Sequence, residues 1–187
     1  MTQGRIHQDF YRNGPSHRDG ADVTFQDIRK LFNFSSITIG KWVTADEQQI
    51  AANLFFDALY DLATILNVNE QVLSLNGTLS LAFGSGGQKG ASAHYNSARR
   101  QLALAKNAGA GALKIYYYAM PQEMAARAFE ACIQDHTIKN AFLVHGTKRS
   151  TEARLGIYPH GNLRIALNES LMLYFYQLGV AISHKQS

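Results

Sequence analysis

A chain of 187 residues with 46% hydrophobic and 17% charged residues is long enough to bury a core and too apolar for a disordered polymer. Its single cysteine, Cys132, excludes an internal disulfide, and no unbroken apolar run reaches the roughly 18 residues of a membrane span. The net charge of +4 and pI of about 9.2 admit anionic partners without requiring one.

The first 22 residues carry Gly4, Gly14, Pro15 and Gly20 among polar side chains and lack the apolar core of a signal peptide. They predict a flexible polar arm over 1–22, ahead of a single domain over 23–187 in a cytoplasmic protein. Thr24 is placed to cap a short helix with Phe25, Ile28, Leu31 and Phe32 on one side. An extended segment at 36–42 runs into Thr44 and Glu47, spaced as a capping box, with Val43 placed to pack on Gln48 or a residue near it as a staple. The helix that follows runs to about Leu66, with Ile50, Leu54, Leu59, Leu62 and Ile65 as its buried stripe.

Alternating apolar and small residues over 77–83 read as a strand that breaks at Gly84, Gly86, Gly87 and Gly90. Residues 91–95 and 100–104 flank a turn and predict a hairpin. Pro121 suits the first turn of a helix to about Gln134, with Met124, Ala128, Phe129 and Ile133 apolar. Residues 136–161 are loop-rich. A last helix over about 162–182, carrying Ile165, Leu167, Leu171, Phe175 and Leu178, is expected to close the core.

Between Gln71 and Gln122 there is no acid, but five bases: Lys89, Arg99, Arg100, Lys106 and Lys114. That bias suits anionic groups better than cations. With Lys148, Arg149 and Arg154 it outlines a nucleic-acid contact surface over Lys89, Arg99, Arg100, Lys148, Arg149 and Arg154; an unspecialised basic surface is the plain alternative. The glycines fit neither G-x-x-x-x-G-K-[ST] nor G-x-G-x-x-G and read as a connection between strands. None of the seven histidines lies in H-E-x-x-H, there is no G-x-S-x-G elbow, and Cys132 sits where a small buried hydrophobe is expected. Glu123 and Glu130, seven residues apart, share a helix face.

Residues 73–113, 121–135 and 140–171 resemble the central and C-terminal blocks of the CLCA_X-type proteins, and 39–66 resembles their N-terminal helix. These are grouped with the large polyvalent protein-associated domains of phages, plasmids and related mobile elements. The resemblance implies a zincin-type metallopeptidase scaffold, in which a helix bearing A-H-E-W-x-H follows the small-residue run and a later helix adds a glutamate. Glu123 matches that third-ligand position best, and Glu130 second. Here GAGAL runs through KIYYYAM (114–120) directly into PQEM, so both histidines and the general base are missing.

The reading that follows is an α+β fold, a small mixed or antiparallel sheet packed against several helices, zincin-like with the active-site helix deleted. Its expected role is that of a catalytically degenerate metallopeptidase-like binding or interaction module of mobile-element origin. No catalytic residue and no cofactor are expected, zinc belonging to the resembled family. One rival is a metallopeptidase with a metal site rebuilt from Glu123 and His94; another is a basic nucleic-acid-binding protein. Partners are unspecified, with self-association through Lys114–Met120 and nucleic-acid contact as options and no membrane contact.

Overall fold

Local signals start the helices where the sequence places them. Thr24 Oγ1 accepts the Asp27 amide at 3.2 Å while the Asp27 carboxylate accepts the Thr24 amide at 2.8 Å, closing a capping box on α1 (Phe25–Leu31). Thr44 and Glu47 repeat the arrangement at 3.0 and 3.2 Å ahead of α2 (Ala45–Leu66). At the position of the expected Val43 staple, Val43 is buried and the Gln48 side-chain amide donates to the Val43 carbonyl at 3.2 Å.

The structure is a computed structural model that describes residues 9–85, 93–96, 99–104 and 121–185. Lys89 and the proposed self-association segment 114–120 lie outside the described residues. Five α-helices and four strands are present among the described residues. The chain divides into two compact units, a finer division than the single domain expected over 23–187.

The first unit takes in residues 16–60 and the described part of 69–111. Its sheet has the order β1–β2–β4–β3, from β1 (Ile37–Ile39), β2 (Ser80–Phe83), β3 (Ala93–Asn96) and β4 (Gln101–Leu104). β1 pairs with β2 in parallel, Ile37 opposite Leu81, and β2 pairs with β4 in parallel, Ser80 opposite Gln101. β3 forms the expected hairpin with β4. Three of the four strands are therefore parallel, which corrects the antiparallel alternative. The reason is visible in β2, where Leu81, Ala82 and Phe83 are all buried. A strand covered on both faces suits a parallel position, whereas alternation in the sequence suggested one wet face. Parallel neighbours also need a long crossover, which α2 and a 3-10 turn at Glu70–Ser74 provide between β1 and β2.

The core of this unit is aromatic. Phe32 is fully buried with its ring edge-on to Phe56 and Tyr60, and Phe25 stacks on Phe83 at 5.6 Å. The face of α2 that is buried here is Ala51, Ala52, Phe55, Phe56, Ala58 and Leu59, whereas Ile50, Leu54 and Leu62 of the expected stripe are only half-buried. Leu31 is exposed, since a seven-residue helix has room for one buried row. Gly84 has φ +66, and a Cβ there would lie 2.6 Å from Val43 Cγ2, so this glycine serves close packing.

The second unit takes in residues 10–15, 61–68 and 121–185 of the described chain. α3 (Pro121–Asp135) starts at the proline as expected and packs antiparallel to α5 (Gly161–Lys185), with α4 (Thr151–Arg154) between them in sequence. Phe129 and Phe175 meet at 5.4 Å, and Ala128, Ala131, Cys132 and Ile133 are buried. Met124, expected inside, is 59% exposed.

The arm is not loose from residue 10 onward. Residues 11–13 pair with 139–141 through Asn13 N to Lys139 O at 3.0 Å and Ala141 N to Tyr11 O at 2.9 Å. Within the first unit, Arg18 holds Asp57 at 3.0 Å and the His17 ring stacks on Tyr60 at 4.9 Å. Pairing with charged partners far along the chain anchors a segment whose composition alone suggested mobility.

Candidate functional site

The two carboxylates that the resemblance assigns to metal binding lie on one face of α3, with Arg127 between them. The Arg127 guanidinium is 3.8 Å from Glu123 and donates to Glu130 at 2.9 and 3.0 Å. Tyr158 completes the group, its hydroxyl donating to Glu130 at 2.8 Å and its ring lying 5.4 Å from the Arg127 guanidinium carbon. Burial pushes the Tyr158 phenol up to about 12, with the hydrogen bond and charge of Glu130 adding to it and Arg127 opposing. Burial opposes the charge on Arg127, but Glu130 and Tyr158 outweigh it and the guanidinium is held above its usual value. A cation already fills the space between the carboxylates, so this donor set does not fit a divalent metal as it stands.

His94 lies on β3 opposite Ala103, in the first unit, whereas Glu123 lies in the second. No group of three or more His, Cys, Asp or Glu side chains able to hold a metal ion occurs among the described residues. The nucleic-acid candidates are likewise divided. Arg99 and Arg100 are exposed in the turn before β4, while Lys148, Arg149 and Arg154 are exposed around α4 of the second unit.

At the far end of α3, Asp135 gathers three partners. Arg164 donates to its two oxygens at 2.6 and 3.0 Å, Lys148 at 2.7 Å and Asn168 at 3.0 Å. Arg164, 7% exposed, also reaches the Thr147 hydroxyl at 2.7 Å and the Ala131 carbonyl at 3.3 Å. Burial raises the Asp135 carboxyl, but the bonds from Arg164, Lys148 and Asn168 overcome it and hold the group well below the usual carboxylate range. The sequence analysis counts Lys148 as a nucleic-acid contact and assigns Arg164 no role. The structure pairs both with Asp135, an acid at a distant helix end.

The outer face of α5 is the third feature. Arg164, Asn168, Leu171, Phe175, Leu178 and Ile182 recur every three or four residues, and this seam faces inward, half-buried or buried. A second row at the same spacing, Ala166, Glu169, Leu173, Tyr176 and Val180, is exposed throughout. Ile165 beside it is 58% exposed, Leu173 57% and Tyr176 58%. The helix expected to close the core thus buries one stripe and leaves apolar residues around the rest of its circumference. Over Gly161–His184 it is long and apolar enough, by length and composition, to cross a membrane. Asn168, Glu169, Ser170 and Gln177 interrupt its apolar residues, which is why no unbroken run shows in the sequence.

Residues 110–182 match the family model of the large polyvalent protein-associated domain 1. The match covers less than half of the chain and takes in α3, α4 and all of α5 but its last turn. No curated protein and no solved structure gives a match. The segment similar to the polyvalent protein-associated domain therefore contains the Arg127 cluster, the Asp135 hub and both rows of α5. The sequence analysis names Ile165, Leu167, Leu171, Phe175 and Leu178 for this helix and does not single out the second row. The Asp135–Arg164 pair was not legible either, because nothing periodic links residues 29 positions apart.

Proposed function

We propose that the chain is a non-catalytic interaction module associated with a large polyvalent protein, built on a metallopeptidase-like scaffold whose zinc-binding helix is missing. The observation that carries this reading is the uncovered second row of α5. A helix apolar on nearly all sides is stable where something covers it, and a monomer that leaves Ile165, Leu173, Tyr176 and Val180 in water presents a docking face. The occupant that suits it is a neighbouring protein domain, because the match to a polyvalent protein-associated family spans this helix. The Arg127 guanidinium between Glu123 and Glu130 supports the absence of metal chemistry.

Two measurements test the reading. Without its cover, the purified chain is expected to associate with itself through α5 in sedimentation experiments. The double change Leu173→Glu with Tyr176→Glu should abolish association while leaving the unfolding temperature unchanged. Metal analysis after dialysis supplies the second arm: zinc retained at one equivalent, and lost in Glu123→Ala, would overturn the non-catalytic reading.

A further inference from the structure

Beside the Asp135 hub lies a cavity of about 360 Å³, inside the second unit, that no other feature accounts for. Its apolar lining comes from Ile133, Ala141, Val144 and the exposed Tyr11. Lys139, Lys148 and His145 are also among its lining residues. No acidic side chain is among the described lining residues.

Charge accounting gives this lining its character. Lys148 binds Asp135 at 2.7 Å, but Arg164 binds the same carboxylate, so two cations share one anion. Both Asp135 oxygens already accept two hydrogen bonds each, from Arg164 and Lys148 on one and Arg164 and Asn168 on the other. Lys139 adds a further cation, bonded among the described residues to the Gln134 backbone carbonyl at 2.7 Å. Each ammonium has three N–H groups and each uses one here, so both hold donors in reserve. The lining is also held in place. Asn140 is buried, its side-chain oxygen accepting the Phe142 and Leu143 amides and its amide donating to Asp61 at 2.8 Å.

We propose that this cavity is a binding site for a small organic anion, a carboxylate or phosphate carried on a flat apolar body. The head group takes N–H donors from Lys139 and Lys148, and the apolar body lies on Ile133, Val144 and Tyr11. The volume is at the small end of the range for ligand pockets, roughly 300–1,000 Å³, which suits one ring system and one head group. The site is separate from the α5 docking face and stands or falls independently of it.

The test uses the full chain with 1-naphthoate and adenosine monophosphate as probes, and naphthalene-methanol and adenosine as uncharged counterparts. Binding is followed by amide chemical shifts and calorimetry at low and raised salt. The anionic probes are expected to shift the amides of residues 133–148 and to outcompete their uncharged counterparts. Lys139→Gln should weaken them about tenfold, close to 1.4 kcal/mol, and Lys139→Arg should restore most of the loss. Because the Lys139 side chain is half-exposed and bonds a backbone carbonyl, the unfolding temperature of each variant serves as the fold control. Equal binding by wild type and Lys139→Gln, or shifts confined to Arg149 and Arg154, would overturn the proposal. So would an oligonucleotide that binds far more tightly than the mononucleotide, since that points to an extended surface instead of a cavity.

Discussion

Arg164 and Asp135 form a two-pronged ion pair at 2.6 and 3.0 Å that ties the first turn of α5 to the last turn of α3. The guanidinium is nearly out of water and also bonds Thr147 and the Ala131 carbonyl, so it fastens three segments at once. Arg164→Met should therefore cost about 3–5 kcal/mol, the range for stripping one partner from a buried pair, as measured by urea unfolding. A loss under about 1 kcal/mol would show that solvent replaces these bonds.

The same pair sets an acid limit. Asp135 has its folded-state value held below the unfolded one, so its stabilising contribution is complete above about pH 4. That contribution is lost as pH falls from there toward the lower folded-state value. Asp135→Asn should be less stable than wild type at neutral pH, and the gap should narrow on acidification below about pH 4. A gap that is constant with pH would mean the carboxylate charge contributes nothing.

Arg12 and Asp61 form the second buried pair, at 2.6 and 2.7 Å, with Asp61 fully buried and also bonded by Asn140. Arg12→Ala removes the two-pronged guanidinium contact from the buried Asp61 carboxylate and should cost about 3–5 kcal/mol. Adding Asp61→Asn should recover part of that loss, because the buried group is then neutral. If the second change makes matters worse, Asn140 and its surroundings are sufficient to hold the charge.

Tyr158 makes the opposite pH prediction. Its phenol is raised to about 12, so the neutral form is favoured in the folded state. Stability from this group is complete below about pH 10 and lost as pH rises through 12. Tyr158→Phe removes the bond to Glu130 and should cost about 1–2 kcal/mol at neutral pH. The difference from wild type should shrink in alkali, and ultraviolet titration should show one tyrosine ionising late.

Gly179 tests a close approach. In the middle of α5, alanine would ordinarily gain about 1 kcal/mol of helix propensity. Here a Cβ would fall on the Asn67 carbonyl oxygen, and backbone cannot swing aside as a side chain can. Gly179→Ala should instead destabilise by about 1–3 kcal/mol, the usual cost of overpacking. A stabilised variant would show that α5 does not approach Asn67 so closely.

Much of the chain was readable before any coordinates. The capping boxes at Thr24 and Thr44, the start of α3 at Pro121, the β3–β4 hairpin and the burial of Cys132 all follow from residues close in sequence. Such signals act over one turn of chain, so the local backbone decides them. Of the candidate metal site, the sequence alone placed Glu123 and Glu130 on one face but did not reveal the Arg127 cation bonded between them.

Tertiary structure decided what depends on partners far along the chain. Whether β2 lies between parallel neighbours, whether Asp61 finds Arg12, and whether Asp135 finds Arg164 are questions of non-local pairing that no periodicity encodes. The clearest case is α5. Its sequence carries two largely apolar rows at helical spacing, and the spacing does not say which of them is covered. Among the described residues, packing against α3 and the close approach of Asn67 at Gly179 cover one row, and the other faces water. Apolar spacing specifies a stripe; the number of neighbouring elements specifies whether that stripe is covered.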